Sequence, residues 1–209
     1  LHDALPISEK DLKKILGELY GKNYGLKEKD GAFYGPKIDF QLKDAIGRTW
    51  QCATIQLDFQ MPLKFACRYI DQEGNEKTPV LIHRTIMGSF ERFMGILIEH
   101  YAGAFPVWLS PIQTILLPVS EKFEKYARKV LADLKAADIR AQLDDSPESL
   151  GKRIRNAEKQ KIPYMLIVGE KEAADGTVSI RRRGAKEQLA LESGKFLEKI
   201  NQEIKNKKS

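Results

Sequence analysis

The chain has 209 residues, 42% of them apolar, which is enough for one large domain or two small ones with a buried core. That composition excludes disorder as the main state, and no run is long and apolar enough to span a membrane. The net charge of +6 is uneven: residues 1–111 hold 14 Lys or Arg against 14 Asp or Glu, while residues 112–209 hold 21 against 15. An excess confined to the second half suits a polyanion partner, with a solvated lysine-rich surface as the plain alternative.

Residues 8–20 (SEKDLKKILGELY) read as a helix, with Ser8 as N-cap and Leu12, Ile15, Leu16 and Leu19 on one face. Residues 1–8 lack the positive start and long apolar run of a secretory signal. Ile38, Phe40 and Leu42 alternate as a strand, Asp44–Gly47 is a turn, and Thr49–Leu57 is a second strand. In that second strand Trp50 and Cys52 share one parity, while Ala53, Ile55 and Leu57 share the other. A switch of parity predicts a β-bulge, a device that re-aims side chains beside active sites. Phe65–Ile70 and Val80–Arg84 read as a hairpin across residues 71–77. A helix opens near Gly88, with Phe90, Phe93, Met94, Leu97 and Tyr101 at helical spacing. The Gly- and Pro-punctuated residues 102–111 place a domain boundary at about 111.

The second half alternates strand and helix. Strands are expected at 112–119, 139–143, 164–168 and 177–183, and helices at 121–137, 148–161 and 194–205. Such alternation predicts a partly parallel sheet covered by helices. The two cysteines, Cys52 and Cys67, are spaced neither as a metal clip nor as a disulfide framework, so a cytoplasmic setting is expected.

Three clusters could carry chemistry. Gln51, Thr54 and Gln56 offer uncharged hydrogen-bonding groups able to read an amino group, a hydroxyl or an adenine edge, unless they are an ordinary exposed strand face. His83 and Arg84 end a strand before Gly88, Ser89 and Arg92 open a helix. That arrangement suits a phosphate at the helix start with Gly88 admitting a ligand close to the backbone, and a surface arginine is the alternative. Lys152, Arg153 and Arg155 are expected on the outer side of a helix, with Arg181, Arg182 and Arg183 on a strand, as contacts for a nucleic-acid backbone.

Ala32–Pro62 (AFYGPKIDFQLKDAIGRTWQCATIQLDFQMP) resembles the stretch of threonyl-tRNA synthetases ahead of their motif 3, and Pro79–Gln113 resembles motif 3 and the linker after it. Lys161–Gly184 is similar to the centre of the anticodon-binding domain of several class II synthetases. The resemblance implies an α/β chain in three parts. Residues 1–8 are a non-family segment. Residues 9–111 are the end of an antiparallel-sheet class II catalytic core, and residues 112–209 an anticodon-binding domain with a mixed five-stranded sheet. It implies ATP-dependent activation of threonine and its transfer to tRNA(Thr), with Arg92 as the motif 3 arginine on ATP. Tyr34, Lys37, Gln51, Thr54, Gln56 and Ser89 line or border the ATP and threonine pocket. His83 is one of three zinc ligands, the other two lying outside this sequence together with motifs 1 and 2. Lys161, Glu172 and Arg181 face the anticodon. Zn2+ and ATP with Mg2+ are the implied cofactor and substrate, and the full-length enzyme is expected to be a homodimer without membrane or DNA partners. These 209 residues alone are expected to bind tRNA without activating threonine. A stand-alone tRNA-binding module, or a class II synthetase for proline, histidine or glycine, are the other readings.

Overall fold

The computed structural model describes residues 4–28, 30–185 and 187–207, and of residues 4–7 the backbone alone. The assigned non-family segment, residues 1–8, therefore lies partly outside the described residues. The chain divides into two compact units, residues 1–99 and 100–209.

In the first unit, α1 runs over Ala4–Tyr20. It begins four residues before the expected cap, so Ser8 lies inside the helix. Strands β1 (Lys37–Lys43) and β2 (Thr49–Asp58) form an antiparallel hairpin. The connecting turn is closed by Gly47 N–H on the Asp44 carbonyl at 3.0 Å. The predicted bulge is there: Phe40 pairs with Ala53 and Gln41 with Gln51, leaving Cys52 as the extra residue. Residues 51 and 54 would face opposite sides of a regular strand; the bulge turns Gln51 to the side of Thr54 and Gln56.

A short helix α2 (Met61–Lys64) follows, with Pro62 in its first turn. The expected hairpin is corrected here. Residues 69–70 (β3) pair with residues 76–77 (β4) around a turn in which the Asp71 carboxylate accepts the Glu73 and Asn75 N–H groups. Strand β5 (Leu81–Thr85) pairs with β2 instead, giving the order β1-β2-β5. The alternation at 80–84 identified a strand but not its partner, because register depends on which face is covered.

Helix α3 spans Phe90–His100. Ser89 Oγ accepts the Arg92 N–H at 3.1 Å, an ordinary N-cap. Gly88 has φ +70°, and a Cβ there would lie 2.8 Å from the Cys52 carbonyl oxygen. The close approach foreseen at Gly88 is thus made by the bulge of β2 itself. The first unit leaves Phe33, Phe65, Ile70, Ile82, Ile86 and Phe90 exposed.

The second unit is a five-stranded mixed sheet of order β10-β9-β8-β6-β7. Its strands are β6 (Thr114–Pro118), β7 (Ala141–Leu143), β8 (Tyr164–Val168), β9 (Thr177–Arg182) and β10 (Gln188–Glu192). Strands β7, β6 and β8 are parallel, as two successive helical crossovers require, and β9 and β10 return antiparallel. The helices are α4 (Glu124–Ala136), α5 (Leu150–Lys159), α6 (Glu170–Asp175) and α7 (Ser193–Lys205). Leu116, Tyr164, Leu166, Val178 and Ile180 pack on Ala127, Val130 and Leu134 of α4 and on Phe196 and Ile200 of α7. Ile115, Leu117 and Met165 pack on the other face with Ala157 of α5 and Ile162. Each fully buried Leu, Ile, Val, Phe or Met among them contributes about 1.5–3 kcal/mol. Helix α6 and strand β10 were not foreseen: six residues are too few for a helical period, and QLALE carries only two large apolar residues where the equally short YMLIV is apolar throughout.

Candidate functional site

One face of β1-β2-β5 carries a connected row of polar side chains. Lys37 and Asp39 stand two residues apart on β1, so they share that face. The Lys37 ammonium lies 2.8 Å from Asp39 Oδ2, and this hydrogen bond holds the lysine above its ordinary pKa. The other oxygen of Asp39 accepts Gln51 Nε2 at 2.7 Å and the Thr54 hydroxyl at 2.8 Å. With one of its two Nε2 hydrogens on Asp39, Gln51 has its other N–H and its side-chain carbonyl oxygen left for a ligand. Gln56 Nε2 reaches Thr54 Oγ1 at 3.5 Å, and the Tyr34 hydroxyl donates to Gln56 Oε1. Tyr34 is fixed by its backbone, whose carbonyl accepts the Phe59 N–H at 3.1 Å. Gly35 next to it is irreplaceable on steric grounds: a Cβ would meet the Leu57 carbonyl oxygen at 2.1 Å.

His83 pairs across from Gln56 in the sheet, and its ring lies edge-on to Tyr34 at 5.8 Å. Its Nε2 sits 2.9 Å from Asp58 Oδ2. The Asp58 side chain is 1% exposed and also accepts the Gln60 and Met61 N–H groups, each at 2.9 Å. Burial works to raise the Asp58 carboxyl pKa, but the hydrogen bonds from Met61, His83 and Gln60 outweigh it and hold the group below its ordinary range. In the neutral ring, a proton on Nε2 facing this carboxylate leaves the lone pair on Nδ1.

Arg92 begins from the first turn of α3. Its Nη1 reaches the Gln51 carbonyl at 3.4 Å, and among the described residues no carboxylate forms an ion pair with it. Arg48 differs, being bound to Asp44 and Glu99. Arg92 therefore keeps its charge for an anion, and Gln51 presents an acceptor close by.

Of the residues singled out in the sequence, Tyr34, Lys37, Gln51, Thr54, Gln56 and His83 are thus joined, directly or through Asp39, in one row. Arg92 meets it at the Gln51 backbone, and Ser89 serves as the cap of α3. The sequence reading missed Asp39 and Asp58, which hold the row together. Their signal was positional: Asp39 shares parity with Lys37, and Asp58 with Thr54 and Gln56.

In the second unit the expected basic surface is corrected. Arg153 is buried, not on the outer side of α5. Its Nη1 and Nη2 donate to the carbonyls of Asp144 at 2.9 Å and Pro118 at 2.7 Å. The three successive arginines are all engaged: Arg181 with Glu158 at 2.6 Å, Arg182 with Glu203 at 2.8 Å, and Arg183 with the carbonyls of Lys161, Ala104 and Phe105. The Lys161 ammonium donates to the Ala102 carbonyl. Glu172 accepts the Gly169 N–H at 2.9 Å and so caps α6. Arg181 pairs in the sheet with Met165 near the start of β8, whereas Glu172 follows the end of that strand, so these two do not meet. A cavity of about 160 Å³ lies beside Arg181, Arg182 and Arg183. Exposed Arg155 and Lys159 remain along the outer side of α5, with Lys152 paired to Glu148 at 2.7 Å.

Residues 2–101 match the family model of the class II tRNA synthetase core domain for glycine, histidine, proline, serine and threonine, and residues 113–203 match that of an anticodon-binding domain. The threonine–tRNA ligase of Clostridioides difficile is 54% identical over 97% of this chain and 32% of its own length. That of Caldanaerobacter subterraneus is 56% identical over 88% and 29%. The crystal structure of the RNA-binding domain of threonyl-tRNA synthetase from Cryptosporidium parvum has a TM-score of 0.88 at 39% identity, covering 97% of this chain and 51% of that one. Prolyl-tRNA synthetase from the same organism shares the fold, with a TM-score of 0.68 at 21% identity over 98% of this chain and 44% of that one. The chain spans about a third of the length of the curated relatives it matches. Its first part thus matches the class II aminoacyl-tRNA synthetase core and its second an anticodon-binding domain, and over nearly its whole length it is similar to threonine–tRNA ligases.

Proposed function

We propose that this chain supplies the nucleotide-holding side and the tRNA-binding unit of a threonine–tRNA ligase. The observation that carries the reading is Arg92, an arginine without a carboxylate partner among the described residues, standing beside the row from Lys37 to His83. In the first reaction the threonine carboxylate attacks the α-phosphate of ATP, brought as its Mg2+ complex, and pyrophosphate leaves. In the second a ribose hydroxyl of the terminal adenosine of tRNA(Thr) attacks the threonyl carbonyl, and AMP leaves with the ester bond formed. Arg92 meets the negative charge on the phosphates, an electrostatic role that strengthens as water is excluded. Gln51, Thr54 and Gln56 offer hydrogen-bonding groups to adenylate and amino acid, flanked by Tyr34 and Lys37, and Ser89 sets the start of α3.

Among the described residues no three His, Cys, Asp or Glu side chains converge as a metal site. His83 offers one nitrogen, with Asp58 behind it in the manner of an outer-shell carboxylate. These residues do not by themselves make a zinc site. In the second unit Lys161, Glu172 and Arg181 are the proposed anticodon contacts. Their internal partners would have to yield to RNA, exchanges that are small for exposed pairs. A homodimer and a cytoplasmic setting belong to the same reading.

Threonine-dependent ATP–pyrophosphate exchange by the full gene product tests it. Exchange with threonine and a fall of about a hundred-fold in Arg92→Ala are expected; equal exchange by Arg92→Ala would remove the role given to Arg92. A second reading, a stand-alone tRNA-binding module, draws on the better packing of the second unit. It predicts salt-sensitive tRNA binding with no exchange at all.

A further inference from the structure

The Arg92 guanidinium carbon lies 5.8 Å from the ring centroid of Trp50, within cation–π range. The indole is itself fixed, because its Nε1 donates to Asp44 Oδ2 at 2.9 Å. The Asp44 side chain is 1% exposed and also accepts the N–H groups of Ile46 at 3.1 Å and Arg48 at 2.8 Å, and Arg48 Nε. Four donors converge on one carboxylate, which fixes the turn between β1 and β2 and the plane of the indole together. Arg48 lies over the same ring at 5.5 Å and extends to Glu99 on α3 at 3.0 Å. The helix that carries Arg92 is thereby tied back to the strand that carries Trp50. Two guanidinium groups share one aromatic ring. Arg48 is neutralised by two carboxylates, and Arg92 is not.

We propose that Trp50, locked by Asp44 and tied to α3 through Arg48 and Glu99, is the shelf that orients Arg92 toward its anionic ligand. The inference rests on the reading in which Arg92 meets a nucleotide. Trp50 acts through Arg92 and is a positioning residue. An arginine in solution has many rotamers, and a ligand that selects one pays for the rest in affinity. A flat aromatic face against the guanidinium removes that loss beforehand while leaving the N–H groups at its edge available to phosphate oxygens. Asp44 matters because an indole with its N–H unanchored can rotate and take Arg92 with it. Arg48, though adjacent, is not the anion receptor, since its own charge is already compensated.

The test is a double-mutant cycle on the full gene product, read by pyrophosphate exchange with ATP varied. Trp50→Leu should raise the KM for ATP about ten-fold, with kcat and the KM for threonine within about two-fold. Trp50→Phe, which keeps the aromatic face, should recover most of that loss. In an Arg92→Ala background, Trp50→Leu should add nothing, because its effect travels through Arg92. Full additivity, or a loss spread equally over ATP and threonine, would overturn the proposal and make Trp50 a packing residue. If Arg92→Ala alone leaves the KM for ATP unchanged, the nucleotide reading fails; if Arg92→Ala raises it and the Trp50 variants do not, the shelf alone fails. Should Trp50→Leu not fold, Asp44→Asn decides: about a three-fold rise in the KM for ATP is expected, absent in the Arg92→Ala background, and no rise would reject the proposal.

Discussion

Gly88→Ala perturbs the point where the first unit joins its sheet to α3. Two effects combine. At φ +70° an alanine sits in the left-handed region, which is unfavourable by about 1–2 kcal/mol. Its Cβ would also lie 2.8 Å from the Cys52 carbonyl oxygen, too close for a carbon–oxygen contact, and that oxygen belongs to the backbone of the bulge. Relief requires the start of α3 and β2 to part by about half an ångström, adding about 1 kcal/mol of lost packing. The total is about 2–3 kcal/mol, which in a unit of this size lowers Tm by roughly 10–20 °C. The same displacement moves Ser89 and Arg92, so the KM for ATP should rise about ten-fold. Gly95→Ala is the control, because Gly95 lies inside the same helix with nothing within 4 Å of the added carbon. It should leave stability unchanged or raise it by up to about 1 kcal/mol. Thermal unfolding of both variants followed by circular dichroism measures this. Equal melting of Gly88→Ala and wild type would refute the packing argument for α3.

The Asp44 carboxyl is held at about 2, because the bonds from Trp50 and Arg48 outweigh the opposing effect of burial. Its folded value lies below its unfolded one, so its contribution is full above about pH 4 and is lost as pH falls toward 2. Asp44→Asn should flatten the stability profile in that window, and an unchanged acid titration would contradict the assignment. Burial pushes the Tyr164 phenol up, reinforced by its 2.6 Å bond to Glu203. Its stabilisation is therefore full below about pH 10 and is lost above it. Ultraviolet titration should show one tyrosine that ionises only on unfolding, and Tyr164→Phe should remove that late phase. Arg153→Ala should destabilise the second unit by about 2–4 kcal/mol, since the carbonyls of Pro118 and Asp144 lose their donors. Arg153→Lys should recover little, because one ammonium lacks the fork that reaches both, and denaturant unfolding measures each.

The strand–helix alternation of the second half was legible because each element buries an apolar face in full periods. The bulge was legible for a similar reason: the parity change at Cys52 and Ala53 has no other simple cause in a strand. The pairing of β5 with β2 was not, since local alternation carries no information about a partner 23 to 31 residues away. Charge was read least well. Arg153 occurs among Lys152 and Arg155 in sequence, yet one helical position turns it inward to two carbonyls. Arg181, Arg182 and Arg183 look like an open basic run until their partners on α5, on α7 and at Lys161, Ala104 and Phe105 are brought up by folding. Asp39 and Asp58 were passed over because a single carboxylate on a strand resembles any surface acid; its importance lies in the neighbours that converge on it.

Under the proposed function, the gene product carrying this sequence attaches threonine to tRNA with Arg92 at the nucleotide. Charging of tRNA(Thr) with labelled threonine, against serine and proline as competitors, tests it most directly. Wild-type protein should charge with threonine alone, and Arg92→Ala should lose about a hundred-fold in rate while binding tRNA with unchanged affinity. Charging with another amino acid, or an Arg92→Ala protein as fast as wild type, would contradict it.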